Sequence, residues 1–133
     1  MMKIVDLFSG CGGMSLGFEN AGYHIVSAFD NWKPAIEIYK QNFKHPILNQ
    51  DLSDIASSAI KIEKLKPDMI IGGPPCQDFS SAGKRDELLG RASLTIAFAE
   101  IIDAVHPQWF VMENVQRAMG SRTYKTARNM FKK

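Results

Sequence analysis

The stretch Met2–Gly13, MKIVDLFSGCGG, decides the fold. Its first half is a short apolar run closed by Ser9-Gly10, which reads as a buried strand. Gly10, Gly12 and Gly13 follow within four residues, and Met14, Phe18 and Ala21 then recur at helical spacing up to a C-capping Gly22. A strand, a glycine turn and a helix in that order open a βαβ unit, in which the glycines let the backbone turn sharply and approach a ligand closely.

The same alternation continues outward. Tyr23–Phe29 reads as a second strand ending at Asp30. Pro34 opens a helix with the stripe Ile36, Tyr39 and Phe43, broken at His45-Pro46, and Ile47-Leu48 predicts a third, short strand before Asp51. Ile55, Ala59 and Ile62 predict a helix stopped by Pro67, and Asp68–Gly73 a fourth strand. Leu94, Ala97, Phe98, Ile101 and Val105 form the clearest helical stripe. Trp109–Glu113 follows Pro107 as a fifth strand, and Tyr124, Ala127 and Phe131 predict a last helix. The pattern is that of an α/β, Rossmann-like fold with a mostly parallel sheet and flanking helices. In such sheets ligands bind beyond the carboxyl ends of the strands. Asp30, Asp51, Cys76 and Glu113 each end or follow a predicted strand and are expected to gather on that edge.

Composition narrows the class. The 133 residues suit one domain, with 45% hydrophobic and 23% charged residues, ordinary for a soluble globular protein. No apolar run approaches the ~18 residues of a membrane span. Two cysteines far apart, Cys11 and Cys76, make neither a disulfide framework nor a zinc site, so no metal and a cytoplasmic setting are expected. The net charge of +2 hides an asymmetry: residues 121–133 carry Arg122, Lys125, Arg128, Lys132 and Lys133 and no acid. Such a tail either approaches phosphates or is the solvated end of a helix.

Three places carry chemistry. Asp30 follows Gly10 by twenty residues, where a carboxylate receives ribose hydroxyls. Ser15 stands where a dinucleotide fingerprint has its third glycine, so a single nucleoside-bearing cofactor fits better. Cys11, inside the loop, reads as a small filler of a crowded turn. In GGPPCQDFSSAGK (Gly72–Lys84), Pro74 and Pro75 stiffen the backbone before Cys76, and Gln77, Ser80 and Ser81 surround the thiol with polar groups. A reactive thiol still needs a proton acceptor or an activating environment, and His24, His45 and His106 read as surface or boundary residues. MENV ends the fifth strand with Glu113, a carboxyl group expected to be buried and able to act as general acid, and Asn114, which can tie loops together through its amide.

With these residues in hand the chain resembles the DNA (cytosine-5)-methyltransferases. DLFSGCGGMSLGFENAGY is similar to that family's first motif, FDNWKPAIEIYKQNF to its second and the Asp51 region to its third. GGPPCQDFSSAGK resembles the catalytic fourth motif, Arg91 and Leu94 with the following helix the fifth, and FVMENV the sixth. The resemblance implies an S-adenosylmethionine-dependent methyltransferase fold and methylation of carbon 5 of a cytosine flipped out of DNA, with S-adenosyl-L-homocysteine as product. It implies Cys76 as nucleophile on ring carbon 6, Glu113 at ring nitrogen N3, and Asn114 and Pro75 as holders of the Cys76 loop. It implies base or DNA contacts from Gln77, Ser80 and Arg91. Cofactor contacts are implied for Phe8, Gly10, Cys11, Gly12, Gly13, Asp30, Asn31, Trp32, Asp51, Leu52, Pro74 and Leu94, with Asp30 at the ribose and Asp51 at the adenine amino group.

The family's later blocks, including the target-recognition region, are not among these 133 residues. The resemblance therefore implies one incomplete or split catalytic domain over 1–133, a second polypeptide as partner besides DNA, and little turnover by this chain alone. It also implies a sheet with an uncovered edge and exposed apolar surface. A non-catalytic cofactor-binding fragment and an inactive remnant are the alternatives, and an RNA cytosine methyltransferase shares much of the chemistry.

Overall fold

The computed structural model describes residues 1–75 and 93–133. The run KIVDL forms β1 (Lys3–Leu7), buried from Ile4 onward, because it is the middle strand of the sheet and has partners on both sides. The chain then alternates as its apolar spacing predicts: α1 (Gly13–Asn20), β2 (His24–Asp30), α2 (Lys33–Asn42), β3 (Ile47–Asn49), α3 (Ile55–Glu63), β4 (Met69–Gly72), α4 (Ser93–Val105), β5 (Trp109–Met112) and α5 (Arg122–Phe131). A 3-10 turn at Gln116–Gly120, which the apolar spacing does not signal, joins β5 to α5.

The five strands lie in the order β3-β2-β1-β4-β5 and every pairing is parallel. The order reverses beside β1: the chain first moves toward β3, then crosses back to β4 and β5. That reversal leaves a crevice at the carboxyl ends of the strands, where a ligand can enter without displacing a crossover helix.

Alternate residues of each strand face opposite layers. On one side Val5, Leu7, Phe29 and Ile70 meet Ile62 of α3 and Phe98, Ile101 and Ile102 of α4, and Phe131 of α5 packs on the same cluster. Each fully buried aliphatic or aromatic side chain contributes roughly 1.5–3 kcal/mol, so this layer holds most of the fold's driving force. On the other side Ile4, Ile25, Met69 and Ile71 pack under Met14 and Phe18 of α1. Gly72 ends β4 without a side chain for a steric reason: a Cβ there would lie 2.6 Å from the Leu7 carbonyl oxygen and 2.7 Å from the Phe98 ring.

β5 is the edge strand among the described residues, and Trp109 (56% exposed) and Val111 (39% exposed) stand on its outer face, in register with Met69 and Ile71. The exposed apolar surface expected from the sequence is supplied by these two side chains, on the face β5 shares with Met69 and Ile71. No helix among the described residues is long and apolar enough to cross a membrane.

Candidate active site

A cleft of about 590 Å3 opens at the carboxyl ends of the strands. Phe8 and Gly10 reach it from the end of β1, Asp30, Asn31 and Trp32 from the end of β2, Gln50, Asp51 and Leu52 from the end of β3, and Gly73 and Pro75 from the end of β4; Leu94 closes it from α4. Residues scattered over most of the chain converge here because every parallel strand delivers its carboxyl end to one side.

The glycine loop is a tight construction. Phe8 takes φ +55°, a left-handed conformation costly for an aromatic residue, and Gly10 and Gly12 follow at +55° and +105°. Gly12 is irreplaceable for space as well: a Cβ there would lie 2.3 Å from the Phe43 ring and 3.0 Å from the Tyr39 ring. The loop is tied down by Asp30. One carboxylate oxygen accepts the Gly10 amide at 2.8 Å and the other the Trp32 amide at 2.8 Å, so one side chain joins the β1–α1 and β2–α2 loops. Each oxygen keeps lone-pair capacity for a further donor.

Asp51 is exposed, and its Oδ1 accepts from both Ser53 Oγ (2.6 Å) and the Ser53 amide (3.0 Å). These bonds, the side-chain one first, hold its carboxyl below the usual carboxylate range, so it is an ionised acceptor at neutral pH. Leu52 behind it is buried and Trp32 in front is 66% exposed, so an apolar wall and an open ring flank the two carboxylates.

The sequence expectations divide at this edge. Phe8, Gly10, Asp30, Asn31, Trp32, Asp51, Leu52, Pro75 and Leu94 line the cleft. Gly12, Gly13, Cys11 and Pro74 do not: Gly12 lies beneath the α2 rings, Pro74 is buried, and Gly13 and Cys11 point to solvent. Cys11 is therefore no filler; the crowded position of the turn is Gly12, one residue on, and the Cys11 thiol is exposed. Glu113 is likewise exposed rather than buried, because β5 has no neighbour on its outer side among the described residues. Its amide donates to the Gly72 carbonyl at 2.9 Å, and its Oε2 lies 3.0 Å from where a Gly73 Cβ would stand. The carboxylate thus rests over the Gly73 backbone, next to the Pro74-Pro75 corner. Asn114 accepts the Val115 amide at its Oδ1 (2.8 Å), while its buried Nδ2 has no partner among the described residues. Cys76, Gln77, Ser80 and Arg91 lie outside the described residues.

Two lining residues were missed. Gln50 is buried beside Asp51 and bonds Ser58 Oγ (3.1 Å) and Lys61 across to α3; only its position after a short strand hinted at it. Gly73 could have been found from its place between a strand end and the two prolines. Ser15, which stands at the place of a dinucleotide fingerprint's third glycine, is fully buried between Asp6 and Tyr39. Glycine could not make those bonds.

Residues 2–133 match the family model described as C-5 cytosine-specific DNA methylase. The chain is 60% identical over 130 residues to the type II methyltransferase M.HindV of Haemophilus influenzae, covering 98% of this chain and 43% of that protein. It is 58% identical over 126 residues to M.HgiGI of Herpetosiphon aurantiacus, covering 95% of this chain and 100% of that protein. Thus the chain spans under half the length of M.HindV and the whole of the shorter relative. Among solved structures it resembles a putative DNA modification methyltransferase encoded within an E. coli prophage (TM-score 0.77, 31% identity, 99% of this chain and 37% of that one). In fold it also matches the Dnmt2 methyltransferase of S. pombe (TM-score 0.80, 23% identity, 98% of this chain and 40% of that one). With a family model spanning nearly all its length and the glycine loop, strand-end carboxylates and Pro-Pro-Cys corner in place in its sequence, the chain belongs to the C-5 cytosine-specific DNA methylases.

Proposed function

We propose that this chain is the cofactor-binding and nucleophile-bearing part of a DNA cytosine-5 methyltransferase of the restriction-modification type. The observation that carries the reading is the cleft itself: two carboxylates, Asp30 and Asp51, at neighbouring strand ends, with Phe8, Trp32, Leu52 and Leu94 as apolar walls. That donor set fits S-adenosylmethionine. Asp30 keeps acceptor capacity for ribose hydroxyls, the ionised Asp51 suits an adenine amino group, and the apolar walls suit the purine. When bound, the cofactor supplies an activated methyl group.

The chain's own residues do the rest. The Cys76 thiolate adds to carbon 6 of the flipped cytosine, and Glu113 stabilises or protonates N3, so the electron pair accumulates at carbon 5 and makes it nucleophilic. After methylation, water takes the carbon 5 proton as the Cys76 thiolate leaves, and N3 returns its proton to Glu113, which restores the ring. Asn114, whose Nδ2 has no partner among the described residues, is suited to bond the Cys76 loop. Gln77, Ser80 and Arg91 are assigned to base and DNA contacts, and Pro74, Pro75 and the glycine loop to positioning. The 133 residues act as part of a single catalytic domain.

Calorimetry with S-adenosylmethionine tests the cleft, and methyl transfer to duplex DNA after mixing with a chain carrying the remaining family motifs tests the catalysis. Cys76→Ser is expected to abolish transfer while leaving cofactor binding intact; transfer undiminished in that variant would sink the mechanism. The share of M.HindV that is unmatched favours a second reading, a cofactor-binding fragment without turnover. Binding without transfer in every such mixture would support it.

A further inference from the structure

A row of buried side chains beneath the glycine loop has no role in the chemistry above. Asp6 on β1 is 1% exposed. Its Oδ2 lies 2.6 Å from Ser15 Oγ of α1, Ser15 Oγ lies 2.8 Å from Tyr39 Oη of α2, and Tyr39 Oη is hydrogen-bonded to His45 Nε2. His45 Nδ1 is then 3.2 Å from Glu19 Oε1 at the surface.

Counting hydrogens sets the direction of this row. The serine and tyrosine hydroxyls own one hydrogen each. A neutral His45 that donates Nδ1–H to the Glu19 carboxylate presents a bare Nε2, which must accept from Tyr39. Tyr39 then accepts from Ser15, and Ser15 from Asp6, so Asp6 must be a carboxylic acid. If Asp6 is ionised, both hydroxyls turn round and Nε2 must carry a proton. His45 is then an imidazolium, or it turns a bare Nδ1 toward a carboxylate.

Burial selects the first arrangement. Asp6 Oδ1 has no partner among the described residues, and an ionised oxygen left so at 1% exposure is costly. Burial, with Asp30 of β2 adding to it, pushes Asp6 up to about 7 despite the Ser15 bonds. Burial lowers His45, helped by His24 of β2 and opposed by Glu19 of α1. Tyr39 of α2 is raised, chiefly by burial, and stays a hydroxyl. β4, the other neighbour of β1, places uncharged Ile71 beside Asp6.

The row frames the cofactor loop. Ser15 lies in the first turn of α1, and the Tyr39 and Phe43 rings fill the space over Gly12. We propose that Asp6 is a positioning residue for the glycine loop, working as the protonated donor at the head of the Asp6–Ser15–Tyr39–His45 relay. The positioning role rests on the cleft being the S-adenosylmethionine site; the relay does not.

The full chain, labelled with 15N-histidine, is titrated by NMR, and S-adenosylmethionine affinity is measured by calorimetry between pH 6 and 8.5. At pH 6, where Asp6 is mostly protonated, the neutral fraction of His45 should be the Nδ1–H tautomer. Wild-type affinity should fall several-fold as pH rises through neutrality. Asp6→Asn, whose amide donates to Ser15 as the acid does, should keep the pH 6 affinity and lose that part of the pH dependence, whereas Asp6→Ala should bind weakly throughout. A neutral His45 that is the Nε2–H tautomer at pH 6, or a His45 with no neutral fraction there, overturns the relay, and this is read on the wild type whatever the variants' folding. Asp6→Asn behaving like Asp6→Ala, or sharing the wild-type pH profile, overturns the positioning role. Absence of cofactor binding by the wild type at every pH overturns the cofactor reading and the positioning role with it, while the His45 tautomer still decides the relay.

Discussion

Asp30 accepts the amide of Gly10, twenty residues earlier, at 2.8 Å and so closes the glycine loop against the end of β2. Its other oxygen holds the Trp32 amide at the same distance. The carboxylate that faces the cleft is therefore also the latch of two loops that form it.

Removing that latch should cost stability as well as affinity. Charge-assisted hydrogen bonds contribute roughly 1.5–3 kcal/mol when buried and less at a half-exposed site, so Asp30→Ala is expected to destabilise the chain by about 2 kcal/mol. Urea unfolding measures this. Asp30→Asn should recover part of the loss, because its amide oxygen can still accept one of the two amides. An unchanged midpoint in Asp30→Ala would show that the loops hold their geometry without it.

Adjacent glycines should respond in opposite ways. Gly12→Ala meets a positive φ of 105° and a Cβ 2.3 Å from the Phe43 ring, and backbone strain with overpacking is expected to cost about 3 kcal/mol. Gly13 has ordinary φ and nothing within 4 Å of its would-be Cβ, and it is the first residue of α1. Gly13→Ala is expected to be neutral or to stabilise by up to about 0.5–1 kcal/mol, through lower entropy of the unfolded chain. Thermal melts of the two variants side by side decide the matter; equal losses would contradict the loop geometry described.

Gly73→Ala probes the Glu113 carboxylate. Its Cβ would stand 3.0 Å from Glu113 Oε2, the end of an exposed and movable side chain. Stability should change by less than about 1 kcal/mol, within the range of surface substitutions. Methyl transfer in the reconstituted enzyme should fall at least tenfold, since a misplaced acid loses its contribution to the barrier. Transfer at the wild-type rate would argue against Glu113 acting from its present position.

The buried Asp6 makes stability depend on pH with a definite sign. Its folded-state value of about 7 lies above the ordinary 3.8, so the folded chain holds the proton more tightly than the unfolded chain. The Asp6 contribution is whole below about pH 4 and is lost progressively as pH rises toward 7. At about 1.4 kcal/mol per pKa unit, the loss is on the order of 4 kcal/mol. Asp6→Asn should gain on the wild type across that window in denaturant unfolding at pH 4.5 and 7.5. Parallel pH profiles for the two chains would mean that Asp6 is not held protonated.

Most elements were legible because apolar spacing, glycines and prolines are local signals. Ile36, Tyr39 and the broken end at His45-Pro46 announce α2 without reference to the rest of the chain. The same holds for the convergence of Asp30 and Asp51, since a parallel sheet sends every strand end to one side. The exposure of Cys11 and Glu113 was not legible. Which residue of a turn faces the core depends on the rings of α2, and burial at a strand end depends on whether that strand is an edge.

By itself, then, the sequence determined the order of strands and helices, the glycine loop and the presence of two acids at strand ends. Those features follow from steric rules acting over a few residues. Only the tertiary structure decided that Asp30 latches two loops, that Gly12 rather than Cys11 is the crowded position, and that Asp6, Ser15, Tyr39, His45 and Glu19 form one hydrogen-bonded row. Such relations join residues up to 39 positions apart, from Asp6 to His45, and arise when packing α1 and α2 on the sheet removes water from polar groups that must then find one another.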